Sequence, residues 1–155
     1  MNNKYWLRLL RNDDLEFLLK TETDPQNQEF TTLEEHPDEE MLKEFLLSDH
    51  DLEKYGQLRQ VIDSEIGPVG FIDLYDADGK FLIAGVGIYV DRNFRKKGAA
   101  LSALKLLAAQ MKNWGYKSLY ADVKVNNPGS HSLFEKAGYA SIRGENGMTK
   151  FVLTL

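Results

Sequence analysis

Along residues 4–11 apolar and polar positions alternate, with Tyr5, Leu7 and Leu9 set against Lys4 and Arg8, so this segment is predicted to be a short strand. The spacing then lengthens. Leu15, Leu18 and Leu19 recur at helical intervals behind Asn12-Asp13-Asp14, and Asp13 with Glu16 three residues on has the form of a capping box. Asp24-Pro25 ends that helix. A second helix is predicted from Pro37, a first-turn position that proline tolerates, to about Leu47, with Met41, Leu42, Phe45 and Leu46 on its apolar face.

Beyond residue 57 the period returns to two. Leu58–Asp63, Val69–Tyr75 and Phe81–Val90 are rich in β-branched and aromatic residues and are predicted strands. Ser64-Glu65-Ile66-Gly67-Pro68 turns the first into the second, and Asp76-Ala77-Asp78-Gly79 turns the second into the third, as in an antiparallel meander. A long helix follows from about Ala99 to Trp114, with Leu101, Leu104, Leu107, Ala108 and Met111 on one face and Gly115 as its stop. A strand over Ser118–Val125, a short helix over Pro128–Ala137 and strands near 139–144 and 148–154 complete the chain. The order is β-α-α-β-β-β-α-β-α-β-β, which packs naturally as a mixed sheet with helices on both faces.

Composition narrows the function classes. The 155 residues contain no cysteine, so disulfides, thiolate catalysis and cysteine metal sites are excluded. No apolar run approaches the ~20 residues of a membrane-spanning helix, and the first residues lack the form of a signal peptide, so no membrane role and a cytoplasmic location are expected. The net charge of −5 argues against nucleic acid as a partner, but the charge is uneven. Residues 1–55 carry 15 acids and 6 bases, whereas Arg92, Arg95, Lys96 and Lys97 fall within six positions. That asymmetry suits one cationic and one anionic partner; solvated helix faces account for the N-terminal acids equally well.

The basic cluster sits where chemistry is expected. Val90 to Leu107 runs from a buried strand through Arg95-Lys96-Lys97-Gly98-Ala99-Ala100 into the long helix. The first N–H groups of a helix have no intrahelical partners, and the dipole concentrates positive charge there, so a phosphate docked at that end satisfies both. Gly98 allows close backbone approach and a positive φ, and Ala99 and Ala100 keep side chains clear. An ordinary strand-to-helix turn with exposed bases would have the same hexapeptide.

Two motifs together are more specific. Arg95-x-x-Gly98-x-Ala100, after the strand Gly87-Ile88-Tyr89-Val90, resembles the signature of the GNAT N-acetyltransferase superfamily. Asn127-Pro128-Gly129-Ser130-His131-Ser132-Leu133-Phe134-Glu135-Lys136-Ala137-Gly138-Tyr139 resembles that family's second signature, and Leu7-Arg8-Leu9-Leu10 with Asp14-Leu15 resembles the opening of its ribosomal-protein and polyamine acetyltransferase branch. The resemblance implies one α/β (α+β) domain over residues 1–155, with a mixed, mostly antiparallel sheet of six to seven strands. It implies acetyl-CoA as co-substrate, no metal, and direct attack of a small-molecule amine or peptide N-terminus on the thioester.

By the same resemblance, Ile88, Tyr89 and Val90 offer backbone contacts to the pantetheine arm, with an N–H near Ile88 facing the thioester oxygen. Arg95, Lys96, Lys97, Gly98, Ala99, Ala100 and Leu101 lie against the pyrophosphate, and Asn127, Ser130, Phe134 and Lys136 complete the coenzyme contacts. Asn127 is equally a helix cap, and Lys136 equally an exposed helix lysine. Many relatives carry a tyrosine as general acid where Phe134 stands and a glutamate where Gly85 stands. Asp73 is the first substitute base, directly or through water, with Glu22 and Glu29 behind it; Tyr139 and Tyr89 are near in sequence but read as packed aromatics. These two departures leave open a catalytically weak acyl-CoA-binding sensor or interaction module.

The acidic first 55 residues correspond to the segment that walls the acceptor pocket in the family, which favours a cationic acceptor. The C-terminal strand ending at Leu155 could pair across a homodimer. His36, His50 and His131 have no metal-ligand spacing, and Asp76-Ala77-Asp78-Gly79 lacks the remaining ligands of a calcium loop. Phosphate-loop and serine-hydrolase motifs do not occur.

Overall fold

A computed structural model describes residues 4–24 and 38–155. The chain divides into two compact units, one formed by Met1–Arg8 with Asp51–Leu155 and one by Leu9–His50.

The smaller unit is helical. A 3-10 turn, Asn12–Asp14, leads into α1 (Leu15–Thr23), and α2 (Glu39–Leu47) packs on α1. The expected box of Asp13 and Glu16 is replaced one residue along. Asp14 Oδ2 accepts the Arg11 N–H at 2.8 Å, and Asp14 itself is the N-cap of α1. Asp24 takes the extended conformation that a following proline favours. Asp38 Oδ1 accepts the Met41 N–H at 2.9 Å, so α2 begins after Asp38. Pro37, the expected start, lies outside the described residues.

The larger unit holds a seven-stranded sheet. Its strands are β1 (Tyr5–Leu9), β2 (Leu58–Ser64), β3 (Gly70–Asp78), β4 (Ile83–Val90), β5 (Ser118–Lys124), β6 (Ala140–Ile142) and β7 (Met148–Thr154). They lie in the order β1-β2-β3-β4-β5-β7-β6, and from β2 onward every ladder is antiparallel except β4–β5. The β3–β4 turn falls later than Asp76-Ala77-Asp78-Gly79 predicts. Strand β3 continues through a bulge to Asp78, with Asp76 at φ 48°, and Asp78 Oδ1 then accepts the N–H groups of Lys80 and Phe81. Strand β4 accordingly starts at Ile83 and leaves Phe81 exposed.

Helices α4 (Ala99–Asn113) and α5 (Pro128–Lys136), with the single-turn α3 (Leu52–Tyr55), complete this unit. The short α3 has no periodicity to reveal it; Asp51 caps its start and Gly56, at φ 70°, its end. Ala99, Ala103, Leu104, Leu107 and Met111 of α4 share one core with Ile72, Leu74, Ala84, Val86, Val90, Leu119, Ala121, Val123 and Phe151 of the sheet. Cross-strand pairs put those sheet residues on one face. On the opposite face Arg8 Nε meets Asp63 Oδ2 at 2.6 Å, both largely buried, joining β1 to β2.

Phe151 is fully buried and stacks on Phe134 with ring centroids 5.8 Å apart, tying β7 to α5. Phe151→Ala is expected to cost about 3–5 kcal/mol, read as a lower denaturant midpoint with unchanged slope.

Candidate active site

The geometry of the site begins where β4 and β5 part. Their parallel ladder holds three pairs, Ile83 with Ser118, Ala84 with Leu119 and Gly85 with Tyr120. Strand β4 continues to Val90 paired with β3, and β5 continues to Lys124 paired with β7, so the two diverge beyond Gly85 and Tyr120. The Asp91 N–H donates to Val69 O at 2.8 Å on the β3 side, whereas Leu82 O accepts from Lys117 and Ser118 on the β5 side. Strand alternation therefore turns the N–H and C=O groups of Val86, Ile88 and Val90 toward the opening. Of the expected trio, Ile88 and Val90 present their backbone there. The backbone of Tyr89 faces β3.

At the mouth of the opening the chain turns into α4. Asp91 Oδ1 accepts the Asn93 N–H at 3.0 Å, setting a 3-10 turn over Arg92–Phe94. Arg95 Nε donates to Val90 O at 2.9 Å, so Arg95 fastens the end of β4 as well as bringing charge to the rim. Lys96 has φ 62° and Gly98 has φ 84°. Gly98 is the N-cap of α4; it supplies no side-chain cap, and a Cβ there would meet nothing within 4 Å. The helix thus presents uncapped first-turn donors and open space to an anion. Lys96 and Lys97 are exposed beside it, with Lys97 O accepting from the Tyr5 hydroxyl at 3.3 Å. Ala100 and Leu101 are half-buried, and Ala99 belongs to the core.

On the β5 side, Asn127 Oδ1 accepts the Ser130 N–H at 3.2 Å and Pro128 opens α5, so the capping role of Asn127 is realised. Lys136 is exposed in the last turn of α5. The side chain of Phe134, expected at the coenzyme, belongs instead to the core, between Phe151 and the edge-on ring of Tyr139 5.0 Å away. Tyr139 is itself buried, and burial holds its hydroxyl in the neutral form to higher pH than usual.

The residues weighed as bases separate. Asp73 is bound in a fork by Arg59, Nε to Oδ1 at 2.8 Å and Nη2 to Oδ2 at 2.9 Å, across β2 and β3. Glu22 lies in α1 of the smaller unit, and Glu29 and His36 lie outside the described residues. Among the described residues no group of three or more His, Asp or Glu could hold a metal ion.

At Gly85 the sequence reading missed an arrangement. Tyr75 of β3 and Tyr120 of β5 both pair with Gly85, and their rings meet edge to face over it, 6.0 Å apart. A Cβ at position 85 would overlap the Tyr75 ring. Burial chiefly, then Tyr120, Asp122 and Asp76, push the Tyr75 hydroxyl up to about 12. Tyr120 is raised as well, by burial first and then by Asp76 and Asp122. The signal in the sequence was a glycine inside a strand, which marks a close approach.

Comparison with known proteins agrees with this architecture. Over 62 residues the chain is 34% identical to GCN5-related N-acetyltransferase 4, chloroplastic, of Arabidopsis thaliana, a match covering 40% of this chain and 21% of that protein. The fold superposes on the spermidine N-acetyltransferase of Vibrio cholerae in complex with CoA and spermine, with a TM-score of 0.82 and 18% identity over 99% of this chain and 96% of that one. It superposes equally on RimL, a ribosomal L7/L12 alpha-N-protein acetyltransferase in complex with coenzyme A, with a TM-score of 0.83 and 13% identity over 99% and 96% of the two chains. Residues 12–139 match the acetyltransferase (GNAT) family, and the chain belongs to that family.

Proposed function

We propose that this protein is an acetyl-CoA-dependent N-acetyltransferase that acts on a primary amine, a polyamine or a peptide N-terminus. The observation that carries the reading is the unpaired edge of β4 leading directly to the uncapped start of α4. An amide-bearing pantetheine arm fits the N–H and C=O groups of Val86 and Ile88 and the N–H of Val90 as an added strand would, while Arg95 holds the Val90 carbonyl. A pyrophosphate fits the donors at Gly98, Ala99, Ala100 and Leu101, with Lys96 and Lys97 adding charge. Bound there, acetyl-CoA supplies an activated acyl group.

The chain's own residues then have two tasks. The Ile88 N–H, turned into the opening, donates to the thioester oxygen and steadies the charge that develops on it. Asp73, with both oxygens accepting from Arg59, takes up the amine's proton through water rather than by direct contact. The spermidine and ribosomal-protein acetyltransferases among the structural neighbours support an amine acceptor. The excess of acids in residues 1–55 supports a cationic one.

A second reading, a coenzyme-binding module without turnover, is favoured by Phe134, which has no proton to donate and is fixed in the core. Titration with acetyl-CoA beside a thiol-release assay over an amine panel separates the two. The enzyme reading expects turnover, faster for polycationic amines than for neutral ones. Equal rates across the panel count against the cationic preference, and binding without any turnover counts for the module.

Gly98→Val is expected to lower coenzyme affinity by at least about tenfold, because a β-branched residue resists positive φ and its side chain enters the anion's space. Circular dichroism is expected to show the fold intact. Undiminished affinity would refute the loop assignment.

A further inference from the structure

Two faces flank the opening between β4 and β5, and they differ. On one, Val86, Val90, Ala121 and Val123 are buried in the core that includes α4. The other carries Tyr75, Gly85 and Tyr120 at the point of separation, with Asp122 one step further along β5. Within the larger unit an acceptor therefore reaches the opening across the tyrosine face.

That face already holds an ammonium. Lys150, paired with Asp122 across β7 and β5, places Nζ 3.5 Å from Asp122 Oδ1 and 4.6 Å from the centroid of the Tyr120 ring. A carboxylate and an aromatic face converging on one cation make a recognition geometry for alkylammonium groups. Cross-strand aromatic cover of a glycine explains the two rings over Gly85 as packing. It does not explain an ammonium held beside them where the two strands part. The pair is half-exposed, so it is weakly held and exchangeable.

We propose that Tyr75, Tyr120 and Asp122 form a subsite for an ammonium group of the acceptor, and that Lys150 is its resident occupant, displaced when the acceptor binds. The subsite takes an alkylamine with a second cationic centre: one amine reaches the thioester while the other replaces Lys150 between Asp122 and the Tyr120 ring. The Tyr75 ring occupies the space a side chain at position 85 would need, so the glycine belongs to the subsite. This inference rests on the acetyltransferase reading for its purpose, and its test does not depend on turnover.

The test is calorimetric titration of 1,4-diaminobutane into the wild type, Lys150→Met and Asp122→Asn, with 1,4-butanediol as the neutral control. Removing the resident cation is expected to tighten diamine binding about threefold, the scale of a half-exposed ion pair. Removing the carboxylate is expected to weaken it about tenfold, the scale of one charged hydrogen bond. The diol should show no difference among the three proteins. Equal diamine affinity in all three overturns the subsite, as does weaker binding by Lys150→Met, which would make Lys150 a structural prop. Coenzyme A is titrated into the same proteins. Failure of the wild type to bind it would sink the acetyltransferase reading and leave the diamine result to stand by itself.

Discussion

Three residue pairs join β4 to β5, and the rest of the site depends on that short ladder. Had the strands stayed paired to their ends, the backbone groups of Val86, Ile88 and Val90 would be satisfied within the sheet. Divergence leaves them outside the ladder, with the Val90 carbonyl taken up by Arg95, while the other edge of each strand is paired, β4 to β3 and β5 to β7. The opening is therefore flanked by two strands that are each paired on the far side. Its apolar side is closed by the core around α4, the helix whose start faces the mouth, so a single packing arrangement positions both the diverging stretch of β4 and the start of α4.

Two glycines divide the polar work. Gly98 takes a left-handed conformation that aims the first turn of α4 outward and leaves space in front of it. Gly85 has a different reason to lack a side chain, because the Tyr75 ring lies across it. Position 85 is thus filled from a neighbouring strand. Phe134, in contrast, is itself built into the core, with Phe151 and Tyr139.

Much of this was legible in the residues themselves. Periodicity located α4 and the central strands because each buries an apolar stripe, and Asn127-Pro128 announced the cap of α5. Local competition among turn residues was not legible. Asp13 and Asp14 are equivalent as letters, yet Asp14 is the one that reaches the Arg11 N–H. The bulge at Asp76 extends β3 past the residues that read as its turn. The role of Asp73 depended on Arg59, fourteen positions earlier and cross-strand, a pairing fixed by register alone. The Tyr75–Gly85–Tyr120 row required three strands to be aligned at once, which no single-strand pattern encodes.

The brevity of the β4–β5 ladder also bears on how the two halves of the sheet are joined. Apart from β1 at its edge, the sheet consists of a meander, β2-β3-β4, and a second antiparallel group, β5-β7-β6. Among the described residues the one strand pairing between the groups is parallel, and the 3-10 turn and all of α4 lie between its partners. Loop-closure entropy makes such a non-local junction slow to form and gives it few hydrogen bonds in return. The seam between the two groups thus rests on three residue pairs and on α4, which packs in one core with strands of both.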